Sequence, residues 1–247
     1  MSSVQKVDFL SRGIKLVGDV FLPPGYSPNT KYPAVIIAHS MTGVKEQAPH
    51  VYSKVLAPAG EGQPRYLEDP AQRAEDVRAG VTYLSLRKDV DSERIGALVV
   101  CTGRMTREGL VEGMGGPEML QQAPVNPALP PTVQDVPPEY PPIVKELAEY
   151  YKTPRGQHER APGLFATRSA DLLANFDAYA FNYLISPRPL LMIAGANAST
   201  KFYSEDAIKA AKEPKELFVI EGRDHAALYD NATESGPKLV DYFRKNL

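Results

Sequence analysis

The sequence predicts an α/β fold: a mostly parallel sheet with helices on both faces and an antiparallel hairpin at its N-terminal edge. Three observations carry this. Short aliphatic runs bounded by turn residues recur at Ala34 to Ala38, Ile95 to Val100, Pro189 to Ala194 and Leu217 to Ile220, the pattern of strands covered on both faces. Stretches with apolar residues at helical spacing lie between these runs, and strand-then-helix order implies parallel pairing with right-handed crossovers. The N-terminus differs. Val4 to Leu10 and Ile14 to Phe21 alternate apolar and polar residues around Ser11-Arg12-Gly13, which reads as a hairpin.

After the hairpin, Pro23-Pro24-Gly25-Tyr26 turns the chain into Ala34 to Ala38, expected as a central strand. Tyr52, Val55 and Leu56 mark a helix that closes near Pro58 and Gly60. A stronger helix runs from about Ala71 to Arg87, with Ala74, Val77, Val81 and Leu84 on one face and Asp69-Pro70 as cap and first residue. Ile95 to Val100 reads as a buried parallel strand leading into Cys101-Thr102-Gly103, small enough for a tight strand-to-helix turn. From Gly103 to Phe165 the character changes. Prolines at 117, 124, 127, 130, 131, 137, 138, 141 and 142 leave little regular structure until Ile143 to Tyr151. Residues 104–165 are read as a proline-rich cap or lid-like insertion, with a linker or plain surface excursion as the other readings. Leu239, Tyr242 and Phe243 give the last helix its apolar face.

The 247 residues fit one domain, 1–247, because open α/β sheets run to this size without splitting. A formal charge of -2 with interspersed signs offers no basic stripe for a phosphate backbone, so nucleic acid is not an expected partner and a small ligand is. Cys101 is the single cysteine, which excludes an internal disulfide and a cysteine zinc site and suits a reducing compartment. Neither a metal nor a cofactor is expected. The N-terminal stretch has no apolar signal core, and no apolar run reaches membrane-spanning length, so a cytoplasmic chain without a membrane span is expected. Lys245-Asn246-Leu247 is a distant echo of a peroxisomal Ser-Lys-Leu end and reads as a helix terminus.

Two segments carry candidate chemistry. "VIIAHSMTGVKEQ" places a small-residue loop after a buried strand, where N–H groups near Met41 and Thr42 can face a developing oxyanion; His39 reads as structural. "FVIEGRDHAALYD" puts His225 on the loop after the last strand, where the terminal histidine of a nucleophile–acid–histidine hydrolase lies. Asp224 and Asp230 beside it read as solvated surface charges.

The runs "KYPAVIIAHSMTGVKEQ", "PRYLEDPAQRAEDVRAGVTYLSLRKDVDSERIGAL", "EYYKTPRGQH" and "SPRPLLMIAGANASTKFYSEDAIKAAKEPKELFVIEGRDHAALYD" resemble the dienelactone-hydrolase-like branch of the α/β-hydrolases. Within it they most resemble the polyketide transferases and thiohydrolases of fungal secondary-metabolite clusters. The resemblance implies the α/β-hydrolase fold and acyl chemistry: a nucleophile on an elbow, a histidine base, an orienting acid, and transfer of an acyl group from a thioester or ester to water or an alcohol. It implies a small-molecule acyl ester or thioester as partner, with delivery by a carrier protein of a polyketide synthase as one route. A prolyl-type peptidase is a lesser alternative on this fold.

The chain departs from that pattern in three places. Relatives carry a further strand between the positions matching Gly60 and Glu61, so one or more family strands are expected to be missing. Relatives follow the elbow with a small-residue helix and a strand, whereas here Cys101-Thr102-Gly103 meets Arg104-Met105 at once. Cys101 is then either the nucleophile, with the Thr102 N–H at the oxyanion, or part of a later strand whose elbow and nucleophile helix are lost. The position matching the family acid holds Ser199, leaving Asn197 as a substitute orienting group for His225. Three readings stay open at this point: an acyl-transferring or ester- and thioester-hydrolysing enzyme, an impaired remnant that binds an acyl chain or a partner, and a truncated gene product.

Overall fold

Alternation at the N-terminus becomes a hairpin of β1 (Ser3–Ser11) and β2 (Ile14–Leu22), paired antiparallel from Ser3↔Leu22 to Ser11↔Ile14. Its turn residues Arg12 (φ 48°) and Gly13 (φ 81°) both take positive φ, the two-residue geometry whose twist matches the flanking strands. On β2, Leu16 and Val20 are buried while Lys15 and Val17 are exposed, so one face packs and the other meets solvent. The computed structural model describes residues 3–39, 43–56, 60–61, 69–99 and 125–247.

β3 (Tyr32–Ala38) is followed by α1 (Ala48–Leu56), the two-residue β4 (Gly60–Glu61), α2 (Pro70–Ser85) and β5 (Val90–Val99). β3 and β5 pair in parallel, Ala34↔Ile95 through Ala38↔Val99, after a register shift at Pro33, which has no N–H to give the ladder. β4 joins β2 antiparallel, through Val17↔Glu61 and Gly18↔Gly60. Among the described residues, the chain between α1 and α2 therefore adds only a short edge strand to the hairpin and no parallel strand beside β3.

That shortage shapes β5. Its expected place as a parallel strand is correct, but Val99 is 45% exposed and Ala97 is also exposed. β3 is its only strand partner among the described residues, so an aliphatic pattern suited to a covered strand ends on an open edge. β3 itself is better covered. Val35 and Ile37 are buried on one face, and Ile36 on the other lies so close to α2 that a Cβ on Gly80 would meet Ile36 Cδ1 at 2.1 Å. α2 starts where its cap predicts, with Asp69 Oδ1 accepting from the Ala71 and Gln72 N–H groups at 2.9 and 3.2 Å.

The second half begins with β6 (Val125–Pro127), which pairs antiparallel with β7 (Leu164–Ala166) and closes an excursion carrying α3 (Pro142–Tyr151). After α4 (Arg168–Ala174) come β8 (Leu190–Gly195), α5 (Lys201–Ala210) and β9 (Lys215–Ile220), with β8 and β9 parallel in unbroken register. The chain ends with α6 (Ala227–Asp230) and α7 (Ser235–Asn246).

One core links the two parallel pairs. Val35 and Ile37 of β3, Tyr52 of α1, Tyr150 of α3, Tyr229 of α6 and Leu239 and Phe243 of α7 pack together, with Leu191 and Ile193 of β8 against them. α7 touches both pairs: a Cβ on Gly96 of β5 would lie 2.6 Å from Phe243, and the Tyr242 hydroxyl donates to the Pro189 carbonyl at 2.6 Å.

A polar clamp fixes the entry to β3 and β5. Arg87 Nε and Nη2 donate to the two Asp89 carboxylate oxygens at 2.9 and 2.6 Å, the Tyr26 hydroxyl donates to Oδ2 at 2.7 Å, and the Asp89 carbonyl accepts from the Tyr32 N–H at 3.0 Å. The Arg87 hydrogen bonds, reinforced by Tyr26, hold the Asp89 carboxyl below its ordinary pKa against the opposing effect of burial. A depressed folded-state pKa gives stability that is present above the ordinary carboxylate value and lost as pH falls through the folded one. Asp89→Asn is expected to cost about 1 to 3 kcal/mol at neutral pH and to flatten the acid limb of the stability curve, measured by urea unfolding between pH 3 and 7.

Candidate active site

The site forms where two parallel strands end side by side, the position at which α/β sheets leave a crevice for ligands. β9 stops at Ile220, Gly222 turns the chain at φ 72°, and residues 223–225 cross the end of β8. Gly195 permits the crossing. A Cβ there would meet the Arg223 carbonyl oxygen at 2.2 Å and its carbon at 2.7 Å, both backbone atoms. Instead the Arg223 carbonyl accepts from the Asn197 N–H at 2.9 Å, and the Ile220 carbonyl accepts from the Ala196 N–H at 2.9 Å. The loop after β8 and the loop after β9 are thus sewn together by their backbones.

His225 sits on this seam, half-buried, with a hydroxyl at each ring nitrogen. Nδ1 is 2.6 Å from Thr200 Oγ1, and Nε2 is 2.6 Å from the Tyr229 hydroxyl. Thr200 occupies the cap position of α5, but its side chain makes no capping bond and turns to the imidazole instead. A hydroxyl both donates and accepts, so this pair holds the ring in place without selecting a tautomer, whereas a carboxylate at Nδ1 would select the Nδ1–H form. On the backbone side, Glu146 of α3 accepts the His225 N–H through Oε2 at 3.1 Å and the Ser199 hydroxyl through Oε1 at 3.0 Å.

The residues expected from the sequence separate here. His225 and Ser199 are brought together through Glu146, and Asn197 joins the same seam by its backbone N–H while its side chain is exposed. Cys101, Thr102, Met41 and Thr42 lie outside the described residues. On the loop after β3, the His39 carbonyl accepts from Arg73 Nη1 at 2.9 Å. Gln47 braces the far side of that loop, accepting the Val44 N–H at 2.9 Å and donating to the Gly156 carbonyl at 2.5 Å. Beside it Lys45 bridges Asp19 (3.0 Å) and Glu46, and Arg160 also pairs with Glu46. Burial pushes the Lys45 ammonium down, but its hydrogen bonds to Glu46 and Asp19 outweigh this and leave its pKa raised.

A layer of tyrosines backs the histidine. The Tyr229 ring meets His225 edge-on at 5.3 Å and Tyr150 edge-on at 5.2 Å, and the Tyr52 hydroxyl donates to the Leu228 carbonyl at 2.6 Å. Asp230 is exposed, as its sequence position suggests, but it is paired. Arg155 binds both of its oxygens at 2.7 Å and stands 5.7 Å from the Tyr150 ring centre, tying the excursion after β6 to α6. Burial, with the nearby Asp230 charge, pushes the Tyr150 phenol up to about 12. Asp224 caps α6 instead of reaching the imidazole, accepting the Ala227 N–H at 2.7 Å.

This arrangement has counterparts among known structures. The crystal structure of PA2218, a hypothetical protein of Pseudomonas aeruginosa, superposes with a TM-score of 0.84 at 26% identity, over 100% of this chain and 94% of that one. The α/β-hydrolase GrgF of Penicillium sp. sh18 superposes at 0.75 with 16% identity and 99% coverage of both chains. The fold is that of the α/β-hydrolases. By sequence the chain is 27% identical to the uncharacterized protein YcjY of Escherichia coli K12, over 95% of each. That alignment spans 294 positions against 247 residues here, so the relative carries segments that this chain lacks. No family model matches the chain.

Sequence reasoning passed over Thr200, Tyr229 and Glu146. Tyr229 stands four residues after His225, a spacing that brings side chains together at a helical turn, so its signal was available. Glu146 lies 79 residues from His225 and has no local signal. Among the described residues no group of three or more His, Cys, Asp or Glu side chains is placed to hold a metal ion, and no helix is long and apolar enough to cross a membrane. Because the atoms facing Gly195 are backbone, Gly195→Ala is expected to lower stability by about 1 to 3 kcal/mol and to disturb the His225 loop, seen as a lower urea midpoint and displaced His225 resonances.

Proposed function

We propose that the protein is an acyl-ester or acyl-thioester hydrolase, or an acyl transferase, with His225 as its general base. The observation that carries the reading is the position of His225: on the loop after the last parallel strand of an α/β-hydrolase fold, fixed at both ring nitrogens and by its own N–H. A base needs both a fixed geometry and a ring nitrogen near the reacting group. In this reading Cys101 is the nucleophile. His225 takes the thiol proton as sulfur attacks the acyl carbon, the leaving alcohol or thiol departs with that proton, and water or an alcohol then accepts the acyl group. The N–H groups near Met41, Thr42 and Thr102 face the oxyanion, Asn197 and Ser199 support the histidine loop, and residues 104–165 act as a cap on a single domain, 1–247. The sequence resemblance supports a polyketide-type acyl substrate, presented free or on a carrier protein, in a cytoplasmic biosynthetic step.

A second reading is an impaired hydrolase remnant that binds an acyl chain. What favours it is the set of segments present in YcjY and lacking here, seen in an alignment of 294 positions against 247 residues.

Turnover separates the two. Purified protein is assayed with p-nitrophenyl esters and N-acetylcysteamine acyl thioesters of increasing chain length. The enzyme reading expects measurable turnover that falls about 100- to 10,000-fold in His225→Ala and by a similar factor in Cys101→Ala. Retained turnover in both variants, or none in the parent chain alongside saturable binding of the thioester, would replace it with the remnant reading.

A further inference from the structure

Two consecutive residues of the excursion after β6 hold segments that are far apart in the sequence. Arg155 reaches α6, where its Nε and Nη2 donate to the two Asp230 oxygens at 2.7 Å each. The next carbonyl, that of Gly156, accepts from Gln47 Nε2 on the loop after β3 at 2.5 Å. We infer that Arg155-Gly156 is a clasp that sets the loop after β3 against the histidine helix α6, with Gln47 and Arg155 as positioning residues on its two sides. The inference rests on the hydrolase reading above only for its effect on turnover.

The turn that carries the clasp is closed on itself. Thr153 Oγ1 donates to the Glu149 carbonyl at 2.6 Å, and the Thr153 carbonyl accepts from the Gly156 and Gln157 N–H groups at 3.3 and 3.0 Å. Gly156 lies against the ring of the buried Tyr150, where a Cβ would come within 2.4 Å of Cε1 and Cζ. Any other residue would push the carbonyl away from Gln47. Gln47 is buried and uses both ends of its amide, accepting the Val44 N–H at 2.9 Å while its own N–H donates to the Val44 carbonyl at 3.0 Å. A shift of Gly156 therefore carries residues 44–47 with it. Arg160 adds a second hold on this loop through Glu46, which Lys45 ties to Asp19 of β2. On the other side, Arg155 and Asp230 are 29% and 30% exposed, so their ion pair contributes little stability by itself and acts through its two-pronged geometry. In the hydrolase reading the oxyanion donors belong to the first loop and the base to the second, and a displacement of about 1 Å between them costs about 100-fold in rate.

Methionine at either position removes the polar contact and keeps an unbranched side chain. In the full chain, Gln47→Met and Arg155→Met are each expected to raise the urea unfolding constant about 10-fold, and the double variant about 10- to 20-fold where independent contacts give about 100-fold. Gln47→Met combined with Asp89→Asn, at the clamp on the entry to β3, is expected to show simple multiplication. Amide hydrogen exchange reads transmission across the clasp. Gln47→Met is expected to speed exchange of the Tyr229 N–H in α6, and Arg155→Met that of the Gln47 and His50 N–H groups, each by about 3- to 10-fold. Tyr52→Phe cuts the direct bond from α1 to α6 but leaves the clasp, so the Gln47 N–H is expected to keep its rate. With a thioester substrate each single variant is expected to lower kcat about 10-fold with KM within about twofold. Multiplying costs in the Gln47 and Arg155 pair, exchange that speeds only beside the substituted residue or equally in Tyr52→Phe, or an unchanged kcat in an active protein would overturn the proposal. Absence of turnover in the parent chain defeats the hydrolase reading instead, and the unfolding cycle and the exchange then decide the clasp.

Discussion

Because Gly195 has no side chain, the Arg223 carbonyl can sit against the end of β8 and take the Asn197 N–H at 2.9 Å. That contact brings the loop after β9 over the loop after β8, and every other feature of the site follows from it. Thr200 meets Nδ1 of His225 only because the two loops touch. Ser199 and the His225 N–H share one carboxylate for the same reason. Backbone contacts of this kind do not depend on side-chain rotamers, which makes the seam a rigid support for a half-buried imidazole.

The excursion after β6 is part of this support and not an ornament on it. Its helix α3 buries Ala148 completely and Tyr150 almost so, and it sends Glu146 to the seam. Arg155, just beyond the helix, grips Asp230 with two hydrogen bonds and lies over Tyr150. Hydrophobic burial therefore places α3, and its charged neighbours then fix α6 and the histidine loop. The tyrosine layer of Tyr52, Tyr150 and Tyr229 joins these to α1, so the loop after β3 and the loop after β9 are held by one core.

Elsewhere the fold shows the cost of a short chain. Among the described residues the parallel strands stand in two pairs, β3 with β5 and β8 with β9, and α7 packs against both. Val99 at the end of β5 is left in solvent although its sequence neighbourhood is aliphatic. A strand's pattern records the surroundings it is suited to, and here the partner strand is not supplied beside it among the described residues.

Elements whose causes are local could be read directly from the residues. The hairpin follows from alternation and an Arg12-Gly13 turn, α2 from the Asp69-Pro70 cap, and the last helix from Leu239, Tyr242 and Phe243. His225 was legible too, because a loop after a terminal aliphatic run is a local feature. The tertiary structure alone decided what surrounds that histidine. Nothing local marked Thr200 for the imidazole, Asp230 for Arg155 or Glu146 for Ser199 and the His225 N–H. Each gains its partner from a segment distant along the chain, and sequence pattern reports periodicity and local turn chemistry but not which loops a glycine allows to cross.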